Sequence, residues 1–280
     1  MLWGVVIGAL FAPNPVVSGF LFLAAMMLLA GAGLNEFYGM VEKRGLACFA
    51  PWGIVGGLLL MGCSFVYLTG VLGNKLYPAK ANDFETSFLI LFVLGLCIRQ
   101  FVSKTNSAGI VAISTTLFGL MYVPWLLNFI QKIYFFFPRA EGRFYLIYFL
   151  VVTKFSDMGA YCTGSLIGRH KMIPRVSPNK TWEGFGGALL FSVAASLAFS
   201  YLAGETRLPG LTHGHAVVLG LILASAAVVG DLIESIFKRE VGVKDSGNMF
   251  PGIGGILDVL DSILFNAPLM YLYLRHILTS

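Results

Sequence analysis

Runs of about 20 apolar residues, each closed by glycine, proline or charge, recur along almost the whole chain, and that length matches a bilayer's hydrocarbon thickness at the 1.5 Å rise of a helix. Inside such a medium every backbone N–H and C=O must be satisfied locally, so runs this long are expected to fold as helices. Read against the breakers they fall at residues 2–12, which is short and ended by Pro13 and Pro15, then at 16–34, 52–72, 84–102, 110–129, 144–164, 185–203, 216–236 and 263–277. The expected fold is an all-α, polytopic integral membrane protein of about nine transmembrane helices. Pro124 sits inside an apolar stretch that reaches Phe137, so that helix is expected to kink or stop there and continue as an aromatic interfacial piece. The start of the chain is apolar without a basic flank and reads as a short or partial span, not a removed signal.

Composition narrows the function classes. With 57% hydrophobic and 12% charged residues, against about 25% charged in soluble domains, there is no polar stretch long enough for a nucleic-acid-binding domain or a large extramembrane module. Cys48, Cys63, Cys97 and Cys162 are far apart, with neither zinc-ligand spacing nor a disulfide framework, and read as packing residues.

The net charge of +5 is first a topology signal. Alternating the connections across the bilayer places eleven cations on one side: Lys43, Arg44, Arg99, Lys104, Arg169, Lys171, Arg175, Lys180, Lys238, Arg239 and Lys244. The other side receives seven, Lys75, Lys80, Lys132, Arg139, Arg143, Arg207 and Arg275, and Lys154 stays within a span. The richer side is assigned to the cytoplasm. Ten of the fourteen acidic residues fall on or near that same face. Topology needs only the positive charges, so the carboxylates point to a polar site opening to the cytoplasmic face.

Three constellations carry chemistry. Residues 168–183, GRHKMIPRVSPNKTWE, offer four cations with Ser177, Asn179 and Thr181, a composition suited to phosphate and equally to a loop touching anionic headgroups. The Ser-Pro-Asn-Lys-Thr-Trp core reads as a rigid turn that fixes Lys180. In the preceding span Lys154 and Asp157 lie three apart on one helical face, where each offsets the other's desolvation. Richest is the stretch from Asp231: Asp231, Glu234 and Lys238 share a helical face, followed by Arg239, Lys244 and Asp245, a Phe-Pro-Gly-Ile-Gly-Gly turn at 250–255, and Asp258 and Asp261. Magnesium takes a few carboxylate oxygens plus substrate phosphates, so Asp231 and Asp258 meeting across that hinge would suit Mg2+, with the cations facing a polyphosphate. Phosphoryl or nucleotidyl transfer explains the interleaved cations; an ion pathway through buried acids is the competing reading.

The segment 235–262, SIFKREVGVKDSGNMFPGIGGILDVLDS, closely resembles the signature of the CDP-diacylglycerol synthase family, also called phosphatidate cytidylyltransferase. FSDMGAYCTGSLIGRHK at 155–171 and SPNKTWEGFGG at 177–187 resemble it too, so the likeness covers most of the last 130 residues while the first 140 contribute only hydropathy. The resemblance implies a multi-pass enzyme of the cell (inner) membrane that joins CTP to phosphatidic acid, giving CDP-diacylglycerol and pyrophosphate with Mg2+ as cofactor and with room for a second cation. It implies Asp231, Asp258 and Asp261 as metal ligands and, with Lys238 and Lys244, as the catalytic set. Lys180, Ser177, Asn179, Arg239, Asp245, Lys154 and Asp157 are the implied substrate-binding residues. Residues 1–140 would be supporting helices and 141–280 the catalytic region of one continuous membrane unit. A homodimer is compatible with the resemblance and with the many small residues in the spans. The family pattern commonly has His after the Pro-Gly of the hinge and Arg after the following Asp, where this chain has Ile253 and Val259. A CTP-dependent lipid-alcohol kinase and an ion-coupled transporter are the alternatives.

Overall fold

The computed structural model describes residues 8, 13–70, 78–103, 108–137, 139–247 and 254–278. The expected short span at 2–12, Lys75, Lys104 and most of the glycine hinge, including Ile253, lie outside the described residues, as do the side chains of Lys80 and Arg139. The helices, in chain order, are α1 (Pro15–Lys43), α2 (Ala50–Thr69), α3 (Pro78–Val102), α4 (Gly109–Leu120), α5 (Leu126–Tyr134), α6 (Arg139–Ile167), α7 (Trp182–Ala203), α8 (His213–Val241) and α9 (Ile256–Tyr273). A two-stranded antiparallel hairpin, β1 (Lys171–Ile173) and β2 (Ser177–Thr181), joins α6 to α7. Among the described residues seven helices are long and apolar enough to cross a bilayer, with α4 and α5 forming one of them as Gly109–Tyr134. The protein is an all-α, multi-pass membrane protein. Helix α6, expected as the span 144–164, is 29 residues long, but Lys154 and Asp157 dilute its apolar run and it is not one of the seven.

The helix ends follow their sequences. Asn14 accepts the amide of Val16 at 2.9 Å and caps α1, with Pro15 at the first helical position where its missing N–H costs nothing. Thr181 and Thr212 accept the amides of Gly184 and His215 and cap α7 and α8. Pro124 neither stops nor sharply ends its helix. Residues Met121–Trp125 widen into a π turn between α4 and α5, which gives the proline ring room where an α turn would clash.

The chain divides into two compact units, Met1–Lys132 with Ser246–Leu257, and Ile133–Asp245 with Asp258–Ser280. In the first, Tyr38 of α1 donates to the Thr116 carbonyl at 2.8 Å, its ring lying over Gly53 and Gly119, where any side chain would collide with it. In the second, α6, α7 and α8 pack through small residues. A Cβ at Gly159 would stand 2.6 Å from the Gly187 carbonyl oxygen, so the two backbones nearly touch. Ser192 and Ser196 of α7 donate to the carbonyls of Gly220 and Ala216 at 2.8 and 2.6 Å, tying α7 to α8.

Candidate active site

All the carboxylates and lysines singled out from 154 to 261 belong to the second unit. Three helices, α6, α8 and α9, and strand β2 bring most of them together. On α6, Lys154 donates to Asp157 at 2.9 Å and to Ser262 of α9 at 3.3 Å, and Ser262 donates to Asp157 at 3.0 Å. The Val259 carbonyl accepts from Lys154 at 3.5 Å, so this position meets Lys154 through its backbone. Lower on the same two helices Asn266 donates to Thr153 at 2.9 Å, continuing a polar seam between them.

The polar stretch before α7 is ordered by pairing, not by a turn at its Ser-Pro-Asn-Lys core. Residues Ser177–Thr181 form β2, with Lys171 opposite Thr181 and Ile173 opposite Ser177. Proline is tolerated because a two-stranded ribbon has only edges. The hairpin is latched to α7 by Glu183, which accepts the backbone amides of Arg169 and His170 and faces the His170 ring at 2.5 Å. This fixes Lys180, whose ammonium pairs with Asp231 of α8. Ser177 is half-buried and Asn179 exposed on the strand.

Asp231 and Asp261 approach because Gly230 lets α8 lie against α9. A Cβ there would stand 2.7 Å from the Asp261 carbonyl oxygen and 3.0 Å from the Phe265 ring. Asp261 feels the charges of Asp231 and Asp157 together. One helical turn further, Lys238 pairs with Glu234 of its own helix and bonds Asp258 at 2.6 Å. Glu234 is 1% exposed, and neither of its oxygens is in hydrogen-bonding geometry. Arg239 donates to the Val176 carbonyl at 3.2 Å, tying the end of α8 to the hairpin turn. Gly242, at φ +74°, ends α8, and Lys244 and Asp245 lie exposed beyond it.

A cavity of about 470 Å3 opens among α6, α7 and the hairpin, lined by Asp157, Ser165, Lys171, Asn179, Lys180 and Thr181 on its polar side and by Met172, Phe185 and Val228 on its apolar side. That is the size and mixed lining of a small-molecule site. Two of its lining residues, Asp157 and Lys180, pair with Lys154 and Asp231, and further along α8 Lys238 pairs with Glu234 and Asp258. The oxygen donors of these carboxylates are of the kind that a hard divalent cation takes. Among the described residues no group of three or more His, Cys, Asp or Glu side chains is placed to hold a metal ion.

A model of the cytidylyltransferase family matches residues 1–277. The chain belongs to this family. A phosphatidate cytidylyltransferase of Staphylococcus saprophyticus is 32% identical over 267 residues, 95% of this chain and 95% of its own length. Its namesake in Staphylococcus haemolyticus is 32% identical over 252 residues, 82% of this chain and 95% of its own. Another, in Mycobacterium leprae, is 38% identical over 156 residues, 55% of this chain and 47% of its own. Cytidylyltransferase kinship therefore extends over the first 140 residues as well, where the sequence offers hydropathy without motifs. Neither the kinase nor the transporter alternative has comparable support.

Several residues of this cytidylyltransferase that shape the site were not singled out as site residues by sequence. Ser262 and Glu183 hold Asp157 and the hairpin respectively, and Glu234 crowds Lys238 toward Asp258. The i, i+4 spacing of Glu234 and Lys238 was the one signal available beforehand.

Proposed function

We propose that the protein transfers the cytidylyl group of CTP to phosphatidic acid, forming CDP-diacylglycerol and pyrophosphate in phospholipid synthesis. The observation that carries this reading is the convergence of two separate motif stretches on one cavity. Asp157 from 155–171 and Lys180 from 177–187 line it together, and Lys180 is joined to Asp231. An oxygen of the phosphatidic acid phosphate attacks the α phosphorus of CTP. The bond from that phosphorus to the bridging oxygen of the β phosphate breaks, and pyrophosphate leaves with the electron pair. The attacking monoester is already anionic near neutral pH, so no side chain need remove a proton, and positioning with charge neutralisation does the work.

Lys180, Lys154 and Lys238 are the cations that neutralise phosphate oxygens, each exchanging a carboxylate partner for substrate. Ser177, Asn179, Arg239 and Asp245 complete the substrate-binding set, Lys244 joins the catalytic set, and Asp157 orients Lys154. Mg2+ would be held by Asp231 and Asp261, with Asp258 beside them on Lys238, and would supply further neutralisation of the triphosphate. The same reading places the catalytic residues in 141–280, the site on the cytoplasmic face and the protein in the cell membrane. The crowding of cations on the richer side of the bilayer supports the facing. A homodimer belongs to this reading, resting on the small residues of the spans.

The test is transfer of label from CTP marked at the α phosphate into lipid, using purified protein and phosphatidic acid in detergent micelles. Label in lipid, dependent on Mg2+ and matched by released pyrophosphate, is the expected result. Label reaching lipid only from the γ phosphate would replace this reading with a kinase.

A further inference from the structure

In the first unit, Glu36 projects from α1 into the segment Ser246–Leu257, more than 200 residues away in sequence. Its carboxylate accepts three hydrogen bonds there, from the Ser246 hydroxyl at 2.9 Å, the Ile256 amide at 2.9 Å and the Leu257 amide at 3.0 Å. The last two are the leading amides of α9, which have no partner within their own helix. The chain folds closely around the carboxylate. A Cβ at Gly247 would stand 2.5 Å from Glu36 Oε1, and one at Gly255 would collide with Ser246 Oγ and Glu36 Oε2. Both glycines are thus needed for the approach. Ser246 is 6% exposed. A side chain borrowed from another helix therefore does the work that an N-cap residue does elsewhere, with the added attraction of a full negative charge for the positive end of a helix.

We propose that Glu36 is a positioning residue for cytidylyl transfer. It fastens the start of α9, and Asp258 is the residue directly after the two amides that it holds, with Asp261 one turn on. This role rests on the reaction assigned above. Glu36 touches no substrate. It fixes the register and direction of the helix that carries the carboxylates, and so acts on turnover more than on nucleotide affinity.

The test uses the full chain in detergent micelles, comparing wild type with Glu36→Ala, Glu36→Gln and Ser246→Ala. Two readouts separate the anchor from the reaction. Hydrogen exchange at the Ile256 and Leu257 amides should accelerate by about tenfold or more in Glu36→Ala, because both lose a charged acceptor. Turnover should fall about 100-fold, with the Michaelis constant for CTP changing less than about threefold, as displacement of a reacting geometry predicts. Glu36→Gln keeps the shape and one acceptor oxygen and should recover most of the lost turnover. Ser246→Ala should show a smaller loss in the same direction, and these two keep the test open where the alanine variant fails to assemble. Unchanged exchange, turnover within about threefold of wild type, or a loss confined to the Michaelis constant would each overturn the proposal. A wild type with slow exchange and no cytidylyl transfer would overturn the assigned reaction and the catalytic role together, leaving the anchor itself intact.

Discussion

Each unit holds lysine–carboxylate pairs inside a membrane protein, and the two kinds differ in how completely they are satisfied. In the first unit Lys132 bonds Glu85 at 2.6 Å, with side-chain exposures of 3% and 5%. Asn82 takes a second bond from the lysine at 2.8 Å, and Trp125 and Asn128 donate to the carboxylate at 3.2 and 2.7 Å. In the second unit Lys154–Asp157 and Lys180–Asp231 are 24–39% exposed, beside or lining a cavity. A pair closed on every side recovers its desolvation cost through its neighbours and has nothing left to offer a ligand. A half-open pair can trade its partner for a phosphate or a cation, and Lys238, 12% exposed and shared between Glu234 and Asp258, stands between the two kinds. Ion pairs in a membrane protein are therefore sorted by what surrounds them and not by their presence.

Four substitutions test that contrast. Asp231→Asn should lower turnover about 1,000-fold, roughly 4 kcal/mol of transition-state stabilisation, while thermal unfolding in detergent stays at the wild-type temperature. Near-normal turnover would erase the distinction from the active side. Lys132→Met should act in the opposite sense, removing about 3 kcal/mol of stability by stranding Glu85, with normal turnover per folded molecule. A mild effect on unfolding would show the closed pair to be dispensable. Ser196→Ala, away from both pairs, should cost about 2 kcal/mol of stability for the lost bonds to the Ala216 carbonyl and the buried Tyr148 hydroxyl, and nothing in turnover, as read from thermal unfolding and initial rates. Lys238→Ala should raise the Michaelis constant for CTP about tenfold, roughly 1.4 kcal/mol, read from initial rates across CTP concentration. A kinetic profile matching wild type would mark Lys238 as a bridge between Glu234 and Asp258 only.

Much of this was legible in the sequence. Apolar run length located the long helices because bilayer thickness sets that length, though α8 runs on to Val241, beyond the expected end at 236, because its last turns are polar and Gly242 closes it. The i, i+3 spacing of Lys154 and Asp157 foretold their bond. The hairpin was hidden because Pro178 and Asn179 read as turn residues, while the partner that makes them a strand, Lys171–Ile173, is short and basic. Lys132 reads from the sequence as one of the seven cations on the side opposite the cytoplasm, since no local pattern announces that Glu85, 47 positions earlier, consumes its charge. Glu36 was silent for the same reason at a greater distance.

The contact of Glu36 with Ser246 spans 210 positions, and that separation is also a delay. At a synthesis rate of about 5–20 residues per second, roughly 10 to 40 s pass between the appearance of this carboxylate and that of its three donors. During that interval the Glu36 carboxylate is without its three donors, and the first unit lacks the segment that completes it. Its assembly is thus timed by the arrival of residues 246–257, so the amino-terminal half finishes folding only after most of the carboxy-terminal half has been made.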